Sequence, residues 1–173
     1  MHLGKTIDDG TAALAATHQI ENFYSGEPTL DTWLRRRAMK NQFNGSSRTY
    51  VIVKNNEVIG YYCLAAGAIA HSESPANLKR NRPDPIPVIV LGRLAIHKKH
   101  QQSGLGTALL RDAILRTLQA AELTGISALL VHALSEQARD FYLSRGFIAS
   151  PIQPMTLCLP LQTVLATLEQ LHK

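Results

Sequence analysis

The sequence is short of cysteine, of aromatic residues and of long apolar runs, and each shortage excludes something. There are two cysteines. Cys63 and Cys158 each stand in apolar, strand-like text, where a buried reduced thiol is expected before a disulfide framework or a thiolate metal site. Sequence alone leaves their pairing open. No apolar run approaches the roughly 20 residues that a membrane helix needs, and MHLGKTIDDG at the start lacks the basic-then-apolar layout of a secretory signal. No membrane partner is expected, and a cytoplasmic location is. The seven histidines include no HExxH pair, so no metal is expected either. Two familiar phosphate loops are missing as well: GxxxxGKS/T, and GxGxxG with an acid about 20 residues on.

What is present fits one ordinary domain. The chain has 173 residues, 45% of them apolar, and a mean hydropathy of −0.05, enough to bury a real core. The net charge is +5, which suits an anionic partner such as a nucleotide cofactor or a nucleic acid. The cations gather in three places: Arg35, Arg36, Arg37 and Lys40; Lys79, Arg80 and Arg82; and Lys98 and Lys99 with His100. A solvated helix face accounts for the first cluster as well as an anion site does, and that alternative stays open.

The most informative stretch runs from Val88 to Leu118. An apolar, β-branched run, VIVLGRLAI, gives way to a polar turn containing Gly104 and Gly106. Then Leu109, Leu110, Ala113, Ile114 and Leu118 recur at helical spacing. Strand, glycine loop and helix in that order make an anion site, because backbone without Cβ atoms can approach a ligand and the leading N–H groups of the helix point at it. A pyrophosphate would suit it.

The remaining elements follow from periodicity and turn signals. Thr6–Asp9 reads as the end of a first strand, and Leu14 to Phe23 as a short helical or irregular piece. Leu30, Trp33, Leu34 and Ala38 form a helical stripe that Asn44-Gly45 terminates. The runs 49–53 and 58–64 are two strands of an antiparallel hairpin, joined through Lys54-Asn55-Asn56-Glu57. Four prolines make 71–87 an irregular loop, with a helical turn at Ala76–Lys79. After the glycine-loop helix, which Gly125 ends, Ile126 to His132 is a buried strand. Ser135 caps a helix from Glu136 to about Arg145, stopped by Gly146. Met155 to Leu159 is a last strand and Leu161–Leu171 a last helix. The order predicts an α/β domain in which the glycine-loop helix crosses between strands 88–96 and 126–132.

Gln101-Gln102-Ser103-Gly104-Leu105-Gly106 resembles the Q/R-x-x-G-x-G/A motif of the GNAT N-acetyltransferases, and the element order matches theirs over almost the whole chain. Four segments are more specific: FYSGEPTLDTWLRRRA, NGSSRTYVIV, PDPIPVIVLGRLAI and VHALSEQARDFYLSRGF. Together they resemble the acetyltransferase toxins of type II toxin–antitoxin systems. That resemblance implies a single domain over 1–173 with the GNAT fold, a mixed central sheet whose strands splay at the acetyl-CoA site. It implies acetyl-CoA as donor, aminoacyl-tRNA as acceptor, a ribbon-helix-helix antitoxin as partner and an arrest of translation as outcome, and it leaves a homodimer open. One departure is visible: such loops often carry a glycine and a basic residue where this chain has Gln102 and Ser103.

The resemblance also assigns residues. Leu94, Ala95 and Ile96 would offer backbone groups to the pantetheine amides. Gln101, Gln102, Ser103, Gly104, Leu105, Gly106 and Thr107 would surround the pyrophosphate, and Ser135 would touch the cofactor. Tyr142 matches the family's catalytic tyrosine, although by residue type alone a core aromatic beside Phe141 and Phe147 is the favoured reading. A phenol with an ordinary pKa of about 10 keeps its proton at neutral pH and can donate to a departing thiolate. Arg35, Arg36, Lys40, Lys79, Arg80, Arg82 and Arg93 would contact the acceptor RNA, with a structural arginine the alternative at Arg93. No carboxylate stands on VIVLGRLAI to act as general base. That absence fits an α-amine, whose pKa of about 7.7–8.0 leaves it partly neutral, better than a lysine near 10.4. Two other readings stay open: an N-acetyltransferase for a small amine or a protein N-terminus, and a non-catalytic acyl-CoA-binding module.

Overall fold

A computed structural model of the chain describes residues 11–164. The strand end expected at Thr6–Asp9 lies outside them, as does most of the helix expected at Leu161–Leu171. Within them that last segment begins as a 3-10 turn, Leu161–Thr163.

Seven strands form one mixed sheet: β1 (Ala12–Ala13), β2 (Arg48–Lys54), β3 (Glu57–Ile69), β4 (Ile86–Ile96), β5 (Ala128–His132), β6 (Ile148–Ala149) and β7 (Thr156–Pro160). Their order is β1-β2-β3-β4-β5-β7-β6. The expected hairpin is there, with Arg48 opposite Leu64 and Lys54 opposite Glu57. Its turn residues Asn55 and Asn56 have φ of 52° and 65°, the left-handed pair that a two-residue hairpin turn requires and that asparagine tolerates. β3 runs five residues past the expected end at Leu64, through Ala65-Ala66-Gly67-Ala68 to Ile69. These small residues carry no alternation to read, and Gly67 shows why they are small: a Cβ there would come 2.7 Å from Val90 Cγ2.

Besides short 3-10 turns, the described residues form four further helical elements between the strands. The first, α1, is Pro28–Trp33, a π turn at Leu34–Ala38, and a further α segment at Met39–Asn44. Leu30, Leu34 and Ala38 are all buried. A four-residue spacing drifts around an ordinary α-helix of 3.6 residues per turn, and the wider π turn offsets that drift and keeps the three in line. The loop after β3 contains α2 (Ala76–Lys79), as expected. The glycine loop leads into α3 (Leu105–Leu123), and α4 spans Glu136–Ser144. Ser135 caps α4, its hydroxyl accepting from Ala138 N–H at 3.1 Å, and Gly146 follows at φ 96°.

The chain forms two compact units. Among the described residues, one comprises 11–65 together with Gly92–Ala113, the other Ala66–Leu91 together with 114–164. The core of the first gathers Phe23, Leu30, Leu34, Val51, Val58 and Tyr61. The core of the second gathers Leu78, Ile86, Val88, Ala128, Leu130 and Cys158. Both cysteines are free thiols and buried. Among the described residues no helix is long and apolar enough to cross a membrane, and no cluster of His, Cys, Asp or Glu could hold a metal ion.

Candidate active site

The first unit contains the glycine loop and the second half of β4. β4 and β5 pair in parallel over four positions, Val88–Leu91 with Ala128–Val131. The pairing stops there while β4 continues to Ile96, so Leu94, Ala95 and Ile96 lie beyond the β5 register. Ala95 and Ile96 are buried and Leu94 is half-buried. What these three residues offer a ligand is therefore mostly main chain.

After Ile96 the chain turns through Lys98–His100 into the loop. Gln102 and Gly104 have φ of 61° and 86°, and the Ser103 hydroxyl closes a short hydrogen bond to His100 C=O. The helical ladder of α3 begins with Ala108 N–H donating to Gly104 C=O at 3.1 Å. The N–H groups of Leu105 and Gly106 therefore lead the helix and point away from its body. A Cβ on Gly104 or on Gly106 would meet nothing within 4 Å, so the space over the helix end is open. Backbone donors, a helix dipole and bare glycines facing open space are what a pyrophosphate needs. Leu105 itself is 1% exposed: its side chain packs in the core, leaving only its backbone at the helix end. Gln101 is exposed but spends its amide on the protein, donating from Nε2 to Ser25 C=O and Ile96 C=O.

Beside the loop, Asn22, Lys54, Asn55, Glu57, His97, Lys99 and His100 line a polar cleft of about 360 Å³. Partial burial, with Lys54, His97 and Lys99 nearby, depresses the pKa of His100.

The arginine-bearing helix belongs to the same unit. Arg35, Arg36 and Lys40 are exposed, and Arg35 also donates to Phe23 C=O at 2.8 Å. Arg93 is half-buried, its guanidinium 4.5 Å from the centre of the Trp33 ring. Burial pushes the Cys63 thiol up, and Arg93 beside it pulls the other way. Sequence reading passed over Trp33 as a stripe residue. Its indole is the floor on which Arg93 lies, and only a strand-to-helix contact could disclose that.

The second unit contains the other candidates. Tyr142 is 7% exposed, edge-on to Phe141 and Phe147, and burial pushes its phenol well above the ordinary value of 10. The phenol therefore keeps its proton at physiological pH. Ser135 is exposed with its hydroxyl engaged as the helix cap. Lys79, Arg80 and Arg82 are exposed on and after α2, and Arg82 reaches Ser127 Oγ at 3.4 Å.

Comparison with known proteins places this geometry. Residues 45–149 match the acetyltransferase (GNAT) domain family. The chain is 49% identical over 140 residues to the tRNA-acetylating toxin of Mycobacterium tuberculosis (strain ATCC 25618 / H37Rv), covering 81% of this chain and 84% of that protein. AtaT complexed with acetyl-methionyl-tRNAfMet superposes with a TM-score of 0.84 at 29% identity, covering 94% of this chain and 98% of the other. A tyrosine-to-phenylalanine mutant of AtaT, bound to the C-terminus of the antitoxin AtaR and to acetyl-CoA, gives 0.77 at 29% identity, covering 91% and 97%.

Proposed function

This chain belongs to the GNAT acetyltransferases, and we propose that it transfers acetyl from acetyl-CoA to the free α-amine of aminoacyl-tRNA as the toxin of a toxin–antitoxin pair. The observation that carries the reading is similarity along most of the chain's length, both to a tRNA-acetylating toxin and to AtaT complexed with an acetylated aminoacyl-tRNA. When bound, acetyl-CoA supplies the thioester whose acyl group is transferred. The open helix end at Gly104 and Gly106 suits its pyrophosphate, and the β4 backbone past Leu91 suits its amides.

Three tasks then fall to the protein. Loop 101–107 and the leading N–H groups of α3 hold the anionic end of the donor. Tyr142, kept protonated by burial, would donate its proton to the departing thiolate as the C–S bond breaks, and the proton that the amine loses as the N–C bond forms would restore the phenol. No carboxylate lies on β4, and an aminoacyl α-amine, already partly neutral near pH 7, does not need a strong base. Ser135 stands as a further contact for the donor. Arg35, Arg36, Lys40, Lys79, Arg80, Arg82 and Arg93 are assigned to the RNA, supported by their sign and, for all but the half-buried Arg93, their exposure.

Further parts of the reading rest on the family resemblance of the sequence. The whole chain acts as one catalytic domain in the cytoplasm, where charged tRNA is found, without a metal, and a ribbon-helix-helix antitoxin neutralises it. The test is incubation with labelled acetyl-CoA and either charged or uncharged tRNA. Label is expected on charged tRNA alone, on the amino acid's α-nitrogen, with growth arrest when the protein is expressed without its antitoxin. Label appearing instead on a small amine or a protein N-terminus would replace the toxin reading with that of a general N-acetyltransferase.

A further inference from the structure

Gln101 opens the glycine loop, yet its side-chain amide is committed to the protein. Nε2 donates to Ser25 C=O at 2.7 Å and to Ile96 C=O at 2.9 Å. Ser25 is gripped in turn. Its N–H donates to both carboxylate oxygens of Asp31, at 3.0 and 3.1 Å, and its hydroxyl donates to Asp31 Oδ1 at 2.7 Å. Asp31 is 3% exposed and Ser25 7%, so these charge-assisted bonds form where water competes poorly. The neighbouring residues are tied in the same way, with Lys98 N–H donating to Tyr24 C=O at 2.7 Å and Arg35 Nη1 to Phe23 C=O at 2.8 Å. Residues 23–25 are thus fastened on one side to α1 and on the other to the chain entering the glycine loop.

We propose that Gln101 and Asp31 are positioning residues for the acetyl-CoA loop: Asp31 fixes Ser25, Ser25 anchors Gln101, and Gln101 holds 101–104 in the conformation that receives pyrophosphate. The proposal rests on the acetyl-CoA reading of that loop. Its physical basis is that the loop is costly to maintain, because Gln102 and Gly104 both occupy left-handed backbone and Gln102 does so with a side chain. External ties that keep it formed before binding remove an ordering cost from the ligand. Gln101 therefore works on the protein rather than on the phosphate, as a donor bridging two carbonyls. Arginine can bridge two carbonyls as well; glutamate, which only accepts, cannot.

The experiment compares Gln101→Ala, Gln101→Glu, Gln101→Arg and Asp31→Asn in the full chain, by calorimetric titration of acetyl-CoA and by kinetics with charged tRNA. The alanine and glutamate variants are expected to bind acetyl-CoA about tenfold more weakly, the scale of two lost hydrogen bonds. Their kcat at saturating acetyl-CoA should stay within about twofold of wild type, because the chemical step is untouched. Gln101→Arg should recover most of the affinity, which a merely space-filling role would not predict. Asp31→Asn should weaken acetyl-CoA binding in the same direction and leave KM for charged tRNA unchanged. Unchanged acetyl-CoA affinity in the alanine and glutamate variants, or an arginine variant as weak as alanine, overturns the proposal. Wild-type protein that fails to bind acetyl-CoA would overturn the acetyltransferase reading with it, whereas normal wild-type binding with indifferent variants overturns this proposal alone.

Discussion

The guanidinium of Arg93 lies over the face of Trp33, 4.5 Å from the ring centre. Beneath it the indole stacks on Tyr61 at 6.0 Å with the planes 7° apart, and the Tyr61 hydroxyl donates to Leu30 C=O at 2.7 Å. A cation on an aromatic face is worth about 0.5–2 kcal/mol, so a side chain that would otherwise sweep through solvent is held on a platform. Arg93→Ala should raise KM for charged tRNA roughly tenfold with acetyl-CoA affinity unchanged. Arg93→Lys should fall between, since it keeps the charge and loses the planar stack. Kinetics against both substrates separates this from simple packing, which would lower Tm and leave KM for tRNA alone.

Gly106→Val should fold normally, because its Cβ meets nothing within 4 Å, and should lose acetyl-CoA binding, because the new side chain fills the approach to the helix end. Gly104→Val should lose binding and stability together, since Gly104 has φ 86° and a β-branched residue is strained there. Calorimetry with a thermal melt of each variant checks both outcomes.

Tyr142→Phe should bind acetyl-CoA as wild type does and lose about 10²–10⁴ in turnover, the usual scale of a lost general acid. Burial raises the phenol's pKa, so the proton stays on as pH rises. Wild-type kcat should therefore show no fall assignable to this group up to about pH 10, the value of a free phenol. A rate profile of wild type and variant over pH 6–10 tests both statements.

The two buried thiols make a stability prediction. Burial pushes Cys158 from an ordinary 9.0 up to about 12 and raises Cys63 as well. A raised folded-state pKa means that the neutral thiol is favoured in the native protein, so its contribution is complete below the unfolded value. That contribution is lost as pH climbs from about 9 toward the folded value. Tm should therefore decline above about pH 9, and neither cysteine should react with a thiol reagent at pH 8 in the folded protein. Melts and mass-spectrometric labelling read these directly.

Removing the cations of α1 should change the salt response toward one substrate and not toward the other. Neutralising Arg35, Arg36 and Lys40 together should reduce the salt dependence of KM for charged tRNA by about one logarithmic unit of slope per phosphate contact removed. KM for acetyl-CoA should keep its wild-type salt dependence. Parallel titrations with potassium chloride make the comparison.

The sequence discloses the elements whose periodicity is long and whose ends are punctuated. The hairpin around Asn55-Asn56, the turn at Ala76–Lys79, the strand into the glycine loop and the capped helix after Ser135 all stand where hydrophobic spacing and turn chemistry put them. Two-residue β1 and β6 are too short to carry a period, and the tail of β3 is hidden by small residues, of which Gly67 closely approaches Val90. At the site, residue type located the loop, yet it could not show that the Gln101 amide bonds the protein's own carbonyls, that the Leu105 side chain is core, or that Trp33 supports Arg93. Each of those facts depends on a contact between residues far apart in the chain, and local pattern is blind to such contacts.

The π turn in α1 has a consequence for how a surface can gain charge. A π turn accommodates one more residue than an α turn over nearly the same rise, and here the turn carries Arg35, Arg36 and Arg37 side by side, all exposed, while Leu34 and Ala38 remain fully buried. A helix of ordinary pitch could not add a residue at this point without rotating everything after it away from the core. The widened turn absorbs the addition locally, so the outward face gains an arginine and the inward face keeps its registry.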